Sequence, residues 1–344
     1  MQQVIAMKKW KGCSLLVCIA LFAAAVYSHT EVAQAVVAAG NRCVMVIIPS
    51  LYLCSVLAAF CIRTGLLEAA AVPLNGLCRK LLRMDGIFLL ILLFSQVAGY
   101  PVGVQLVRQM LEKGSITALQ ARRMLCCCFG CGPAFLLGTV GGCLGTEACV
   151  LLMAAVILPN FVLGLVLMRG CRAGAGSREL SLHASDLTAA AQSGASAMLK
   201  ILMMIVLFAA LTAMFHTSSY LPDAAAPLLE ISNLTEFLRQ GGGLPAAAAF
   251  LSFGGLCVHV QNAAIYGENF PFLNFWTARL GCAACTYWIC HFGLRFCFGT
   301  AAFPTALQLQ PYEPKLTQEG ILPVLCLVVM ALLLLDKASL TGKN

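Results

Sequence analysis

Long apolar stretches, separated by short charged connections, dominate the hydrophobic pattern of this chain. A helix needs about 20 mainly apolar residues to cross the roughly 30 Å hydrocarbon layer of a bilayer. Stretches close to that length occur at about 43–62, 86–106, 124–145, 149–168, 197–216, 244–265, 276–294 and 319–335. The pattern therefore predicts an all-α fold, that of a polytopic helical membrane protein.

A shorter apolar stretch at 13–27 follows three lysines near the N-terminus. It fits an uncleaved anchor helix with a cytoplasmic N-terminus, which places the chain in the cell membrane as a multi-pass protein. A signal peptide is the alternative interpretation, because Val32-Ala33-Gln34-Ala35 resembles a small-residue cleavage site. The anchor helix is the interpretation that we favour.

Composition supports the membrane assignment and excludes several classes of protein. Apolar residues make up 60% of the chain and charged residues 10%, whereas soluble domains have about 25% charged residues. These values exclude a water-soluble domain, a disordered tail and a nucleic-acid binder, despite the net charge of +8. The nineteen cysteines lie mostly in apolar stretches, where a thiol packs as a small hydrophobe, and no disulfide is implied.

Two of the apolar stretches contain helix breakers near their middle. Gly99-Tyr100-Pro101 interrupts 86–106, and Gly254-Gly255 interrupts 244–265. Backbone groups that such breaks release in a bilayer must find partners inside the protein. The breaks therefore predict re-entrant hairpins or discontinuous helices.

The charged connections favour hairpins over full crossings. The connections at 63–85 and 107–123 are both basic, and positively charged connections stay in the cytoplasm. A hairpin at 86–106 puts both of them on that side. A second hairpin at 244–265 leaves the acidic connections outside.

The two breaks also share a sequence pattern. Gly99–Gln105 and Gly255–Gln261 both read G-x-x-V-x-V-Q, 156 residues apart. With the predicted hairpins this becomes an inverted repeat, which is typical of secondary transporters whose sites lie where broken helices meet.

The predicted organisation is an N-terminal anchor helix and external segment at 1–39, a first half at 40–168, a cytoplasmic linker at 169–184, a second half at 185–300, and a C-terminal helix and tail at 301–344.

Several segments resemble a known family. They are Ser95-Gln96-Val97-Ala98-Gly99-Tyr100-Pro101-Val102-Gly103, Gly114-Ser115-Ile116-Thr117, Cys128-Phe129-Gly130-Cys131-Gly132-Pro133-Ala134-Phe135 and the run from Ser252 to Gln261. Together they resemble the YlbJ-like sporulation integral membrane proteins, which contain the Gate (nucleoside-recognition) domain. The resemblance extends from about residue 43 to residue 300. The resemblance implies two Gate-like halves and a role in endospore formation. It does not identify a transported substrate, which depends on the chemistry of the site.

The breaks supply the chemistry of a binding site. A half-helix that starts near Pro101 or Pro133 directs unpaired N–H groups and the positive end of its dipole into a cavity. Neighbouring amides and hydroxyls both donate and accept hydrogen bonds, which suits a neutral polar solute such as a nucleoside. The predicted substrate-binding residues are Gln96, Gly99, Tyr100, Pro101, Gln105, Gly132, Pro133, Gly255, His259, Gln261 and Asn262.

Alternative roles remain for three of these side chains and for two cysteines. Gln105 and Gln261 could instead bridge helices, and His259 could be a neutral, hydrogen-bonded core residue. Cys128 and Cys131 have the C-x-x-C spacing that suits soft metals, but no four-ligand set accompanies them. We therefore predict no metal site and no cofactor.

The sequence predicts a transporter-like protein rather than an enzyme. It contains no G-x-S-x-G, P-loop, H-E-x-x-H or paired intramembrane carboxylates. The predicted function is a sporulation-associated permease for a nucleoside-like or other small polar solute. Its partners are the lipid bilayer, that solute and sporulation membrane proteins. The alternatives are a non-transport scaffold in spore-envelope assembly and a divalent-metal permease that uses the turn of Cys128 and Cys131.

Overall fold

The structure is a computed structural model that describes residues 18–174, 180–217 and 223–298. Every regular element in these ranges is helical. The α-helices are α1 Cys18–Tyr27, α2 His29–Arg42, α3 Ile48–Thr64, α4 Leu66–Leu81, α5 Gly86–Ala98, α6 Val102–Glu112, α7 Ala118–Leu125, α8 Pro133–Phe135, α9 Gly141–Leu167, α10 Ala184–Thr217, α11 Ala226–Leu229, α12 Leu234–Arg239, α13 Leu244–Phe253, α14 Gly255–Tyr266 and α15 Phe272–Phe298. The predicted all-α fold is confirmed for this part of the chain.

Four stretches of helix in the described ranges are long and apolar enough to cross a membrane. They are His29–Thr64, Glu147–Leu167, Ala184–Phe215 and Leu244–Tyr266. The first is longer than the predicted 43–62, because α2 continues into α3 through a π-helical turn while it packs along α10. The start of the predicted anchor helix and the stretch at 319–335 lie outside the described residues.

The first break separates α5 from α6, which pack against each other. Just beyond the end of α6, Lys113 Nζ donates hydrogen bonds to Glu68 Oε1 at 2.5 Å and to the Ile62 carbonyl at 2.7 Å. Glu68 lies in the first turn of α4. The connections at 63–85 and 107–123 therefore meet at one end of the bundle, as a hairpin at 86–106 requires.

A buried aspartate holds a third connection at the same end. Asp85 accepts hydrogen bonds from Arg79 Nε at 2.7 Å, from Arg172 Nη1 at 3.2 Å and from the Ala173 N–H at 2.9 Å. Next to it, the Gly174 N–H donates to the Ser115 carbonyl at 3.2 Å. We call this end of the bundle, formed by 63–85, 107–123 and 169–174, the basic end. The division into two halves on either side of the 169–184 linker stays a prediction.

Asp85→Ala is expected to lower the free energy of unfolding by about 1–3 kcal/mol, because the Ala173 N–H loses its acceptor. Arg79 and Arg172 are about half exposed, so water can solvate both arginines in the variant. Glu112→Ala is the matched control, since its exposed pair with Arg108 contributes less than about 1 kcal/mol. Thermal unfolding in detergent compares the two variants, and equal losses would contradict the role of Asp85.

The second break is built differently from the first. Gly254 separates α13 from α14 in a left-handed conformation. At the other end of α14, a Cβ on Gly267 would lie 2.5 Å from Arg108 Nη1. The helix thus runs from the break toward the basic end, beside α6, which it contacts.

This course is at odds with the predicted second hairpin at 244–265. Leu244–Tyr266, with its break, is long and apolar enough for a single crossing. A glycine at positive φ can turn the chain either back or onward, so the sequence pattern alone does not fix the direction. The structure favours a broken span here, and the predicted inverted repeat is not confirmed.

Three of the connections between the apolar stretches contain helices. Within 63–85, α4 buries Leu67, Ala71 and Cys78 on one face and lies at 103° to α5. Within 107–123, Thr117 and Gln120 form a capping box that starts α7. The segment at 217–243 contains α11 and α12. Charged residues and prolines interrupt the hydrophobic pattern of these segments, so the pattern alone does not predict their helices.

Candidate functional site

The two helix breaks lie side by side in the centre of the bundle. Both α6 and α14 begin at a break, and the two helices contact each other. The predicted break residues Gly99, Tyr100 and Pro101 lie on one side, and Gly255 on the other. The structure thus brings together the two segments that the sequence pattern pairs.

A third segment, the non-helical turn at 126–132, packs against the first break. The Tyr100 N–H donates to the Gly130 carbonyl at 2.6 Å. Gly99 lies directly against Gly132, where a Cβ on Gly99 would be 3.2 Å from the Gly132 Cα. Pro133 then begins α8. The predicted residues Gly132 and Pro133 therefore border the site, because two glycine backbones pack where side chains would not fit.

Phe129 joins the two breaks, and sequence analysis missed it. Its fully buried ring stacks on Tyr100 with centroids 4.8 Å apart. The same ring covers the second break, because a Cβ on Gly254 would lie 2.8 Å from Phe129 Cε1. Phe129 reads as an ordinary apolar residue in the sequence, so no local signal identifies it.

A small cavity of about 20 Å³, the inner cavity, lies between the breaks. Tyr100 and Pro101 line it from the first break, and Val258 and Gln261 from α14. Tyr100 is 7% exposed, and its hydroxyl has no hydrogen-bond partner among the described residues. This volume accommodates about one water molecule. The inner cavity is the space where the sequence predicts solute binding, and it is too small for a solute larger than water.

A larger cavity of about 300 Å³, the vestibule, lies at the other side of the same site. Its volume is at the lower end of the range for ligand pockets, about 300–1,000 Å³. The polar side chains that line it are Glu31, Arg42, Thr212, Glu230, Ser232, Asn233 and Glu236. Glu230 lines the inner cavity as well. Glu230 therefore lies at the boundary of both cavities, a position that no sequence motif signals.

The predicted glutamines have different surroundings. Gln105 bridges three helices: its Oε1 accepts from Ser55 Oγ at 2.6 Å and its Nε2 donates to Ser193 Oγ at 3.5 Å. Gln96 Nε2 donates to the Cys127 carbonyl at 3.1 Å, and its Oε1 has no partner in the described part of the chain. Gln261 faces the inner cavity, with Nε2 3.1 Å from Cys257 Sγ. Gln105 thus has the bridging geometry, and Gln261 has the geometry expected for binding.

His259 and Asn262 are buried on α14. His259 Nε2 lies 2.8 Å from the Phe253 carbonyl, within a group of aromatic rings that includes Phe275. Neither amide atom of Asn262 has a hydrogen-bond partner among the described residues. An unpaired buried polar atom costs about 1–3 kcal/mol, so the two unpaired amide atoms of Asn262 destabilise the fold.

Arg279 is a second residue that sequence analysis missed. It is fully buried in α15, and its guanidinium lies 4.7 Å from the centroid of the Phe129 ring. Nη1 donates to Asn160 Oδ1 at 2.8 Å, and Nη2 donates to the Cys126 carbonyl. An arginine within an apolar stretch is a functional signal, so the sequence did contain a pointer to Arg279.

The cysteine turn provides no support for the metal alternative. The cysteines that the structure describes in full are free thiols. The thiols of Cys126 and Cys127 approach backbone carbonyls, such as that of Met124, 3.3 Å from Cys127 Sγ. Within the described ranges, no three His, Cys, Asp or Glu side chains come together as a metal site would require.

The function of this protein has to be inferred from the geometry of the site. That geometry consists of two converging breaks, a small inner cavity and a vestibule, with Glu230 in the lining of both cavities. No protein-family model, no curated protein and no solved structure matches this chain.

Proposed function

We propose that this protein is a membrane permease that moves a small polar solute through the space between its two helix breaks. The observation that supports the proposal is the convergence of both breaks on one cavity, which shares the lining residue Glu230 with a larger vestibule. Broken helices expose backbone groups where solute sites form in secondary transporters.

Unpaired polar atoms near the breaks support a binding role. Tyr100 Oη, Gln96 Oε1 and both amide atoms of Asn262 are buried without partners among the described residues. Each such atom destabilises the fold by about 1–3 kcal/mol. Proteins retain such groups where they serve a ligand, and buried polar residues in membrane segments mark solute pathways.

The proposed solute class is neutral and nucleoside-like. Amide and hydroxyl groups from Tyr100 and Gln261 provide donors and acceptors without a fixed charge. The vestibule, at about 300 Å³, has room for a nucleoside, whereas the inner cavity does not. In this proposal the structure corresponds to a closed state in which solute would first occupy the vestibule. The resemblance to the YlbJ-like Gate proteins adds a sporulation role to the proposal.

Gln261→Ala is expected to reduce uptake by about 10–100-fold, the effect of losing one hydrogen bond to the solute. Gln105→Ala is expected to keep most of the uptake and to lose up to about 2 kcal/mol of stability, because this residue bridges helices. The measurement is uptake of labelled uridine and adenosine into proteoliposomes. Gln109→Ala is the control, since Gln109 also lies on α6 and contacts Ser193.

The alternatives give other outcomes in the same assay. A scaffold would take up neither nucleoside, would tolerate Gln261→Ala, and would fail in sporulating cells when 107–123 is altered. A metal permease would lose divalent-cation uptake in Cys128→Ser alone. Absence of nucleoside uptake by wild-type protein that is folded and inserted would contradict the proposed solute class.

A further inference from the structure

Glu230 is a buried carboxylate at the boundary between two cavities. It is 4% exposed and lines both the vestibule and the inner cavity. On the inner side it faces a space that Tyr100 and Gln261 also line, where the Tyr100 hydroxyl has no partner among the described residues. An ionised carboxylate at such a position is unfavourable unless it is paired.

The segment that carries Glu230 covers the second helix break. A Cβ on Gly255 would lie 3.0 Å from the Pro227 carbonyl oxygen and 3.2 Å from the Ile231 nitrogen. Ile231 is 3% exposed and lines the inner cavity. We call residues 226–233 the plug, because this segment contributes lining residues to both the vestibule and the inner cavity.

The charges around Glu230 only partly compensate its burial. Both of its carboxylate oxygens accept from the Ser232 N–H at 3.1 Å, and the Ser232 hydroxyl donates to Oε2. Arg42 on α2 donates to that same hydroxyl, so the cation reaches the carboxylate through Ser232. The other titratable groups around Glu230 are Cys43, Tyr100 and Cys257, which interact with its charge, and Glu31 and Glu236, which line the vestibule.

We propose that Glu230 binds a proton that keeps the plug closed between the vestibule and the inner cavity, and that ionisation of Glu230 releases the plug. This inference rests on the proposed function in one respect: the solute that the open plug would admit is the solute of the proposed permease. The proton is the ligand, and the buried Glu230 carboxylate, next to Ser232, is the place where it binds.

The direction of the pH dependence follows from burial. Burial raises the pKa of Glu230 above its ordinary value of 4.5, while the Ser232 hydrogen bonds and the charge of Arg42 oppose that rise. With the plug open, the carboxyl faces water and titrates near its ordinary value. The proton therefore binds more tightly to the closed state. The closed state is fully favoured below pH 4.5 and is lost as pH rises through the raised pKa.

Hydrogen–deuterium exchange of the full-length protein in nanodiscs tests this inference without any solute. Over a pH series that rises from 4.5, the ordinary pKa of a glutamate, the protection factors of 226–233 should fall with rising pH as the Glu230 carboxyl ionises. The limit for one linked proton is about tenfold per pH unit. Glu230→Gln, a neutral isostere, should keep high protection throughout this series. Glu236→Gln, also in the vestibule wall, should retain the wild-type pH dependence.

Ser232→Ala is a second test of the inference, which can be carried out even if the Glu230→Gln variant does not fold. It removes the hydroxyl that connects the carboxylate to Arg42, so the pH at which the plug opens should shift upward. Protection factors that do not depend on pH in the wild type, or that still depend on it in Glu230→Gln, would overturn the inference. Loss of nucleoside uptake with an intact exchange profile would contradict the proposed function alone.

Discussion

Replacing Arg279 by alanine is expected to lower the free energy of unfolding by about 1–5 kcal/mol, before any loss from the cavity that the change leaves. The guanidinium is fully buried, and it holds Asn160 Oδ1 and the Cys126 carbonyl with its two Nη groups. It also lies over the Phe129 ring at 4.7 Å. Arg279 thereby fixes the start and the middle of the turn that packs between the two breaks.

The magnitude follows from opposing effects. Removal of the side chain leaves two buried acceptors unpaired, which costs about 1–3 kcal/mol each, and removes a desolvated cation–π contact of about 2 kcal/mol. The cavity that remains adds a further loss. Removal of the buried charge returns about 2.5–3.5 kcal/mol. The losses exceed this gain, so the arginine stabilises the fold despite its charge.

A double substitution separates this explanation from a general requirement for arginine. Arg279→Met restores volume but leaves Asn160 Oδ1 unpaired, whereas Arg279→Met with Asn160→Leu replaces both members of the pair with apolar groups. Such paired replacements are often neutral or stabilising. The double variant should therefore unfold at higher denaturant than Arg279→Met alone, measured in detergent micelles. Wild-type stability of Arg279→Ala would contradict the proposed role.

The sequence is sufficient to predict the features that depend on local chemistry. Glycine and proline locate the breaks at Gly99–Pro101 and Gly254–Gly255, where helices do end and begin. The charge pattern predicts that 63–85 and 107–123 share one side, and Lys113 with Glu68 connects them. Both predictions rest on the backbone geometry of a few residue types and on their charge.

The central packing could not be predicted in the same way. Phe129 meets Tyr100 and Gly254, and Arg279 meets Cys126, across separations of up to 153 residues. Such contacts depend on the angles and positions at which the helices cross, and the hydrophobic pattern of a single helix does not determine these. The sequence pattern predicts that the acidic connection with Glu230 lies outside, because nothing in the neighbouring residues shows that this segment folds inward onto Gly255.

The role of Gln105 was underdetermined for a related reason. An amide next to a broken helix can bind a solute or bridge helices, and the sequence contains the same residue in both cases. Only the positions of Ser55 and Ser193, on two other helices, distinguish these roles. The shared G-x-x-V-x-V-Q pattern therefore conceals two different environments, because Gln261 faces the inner cavity.

Replacing Gly254 by alanine is expected to lower the free energy of unfolding by about 2–5 kcal/mol. Gly254 has φ of +90°, a left-handed conformation that costs an L residue about 1–2 kcal/mol. The new Cβ would lie 2.8 Å from Phe129 Cε1, and overpacking of this kind costs about 1–3 kcal/mol. The Phe129 ring is fully buried between Tyr100 and Arg279, so it has little room to move away.

A double-mutant cycle with Phe129→Leu separates the clash from the backbone strain. If the ring causes the clash, Gly254→Ala should cost only about 1–2 kcal/mol in the Phe129→Leu background, the strain that the left-handed backbone alone imposes. Gly281→Ala is the matched control, because a Cβ at that position on α15 meets nothing within 4 Å and alanine favours a helix. Unfolding in detergent gives all four free energies of the cycle. Strict additivity would show that the two residues do not contact each other, and that Phe129 does not join the second break to the first.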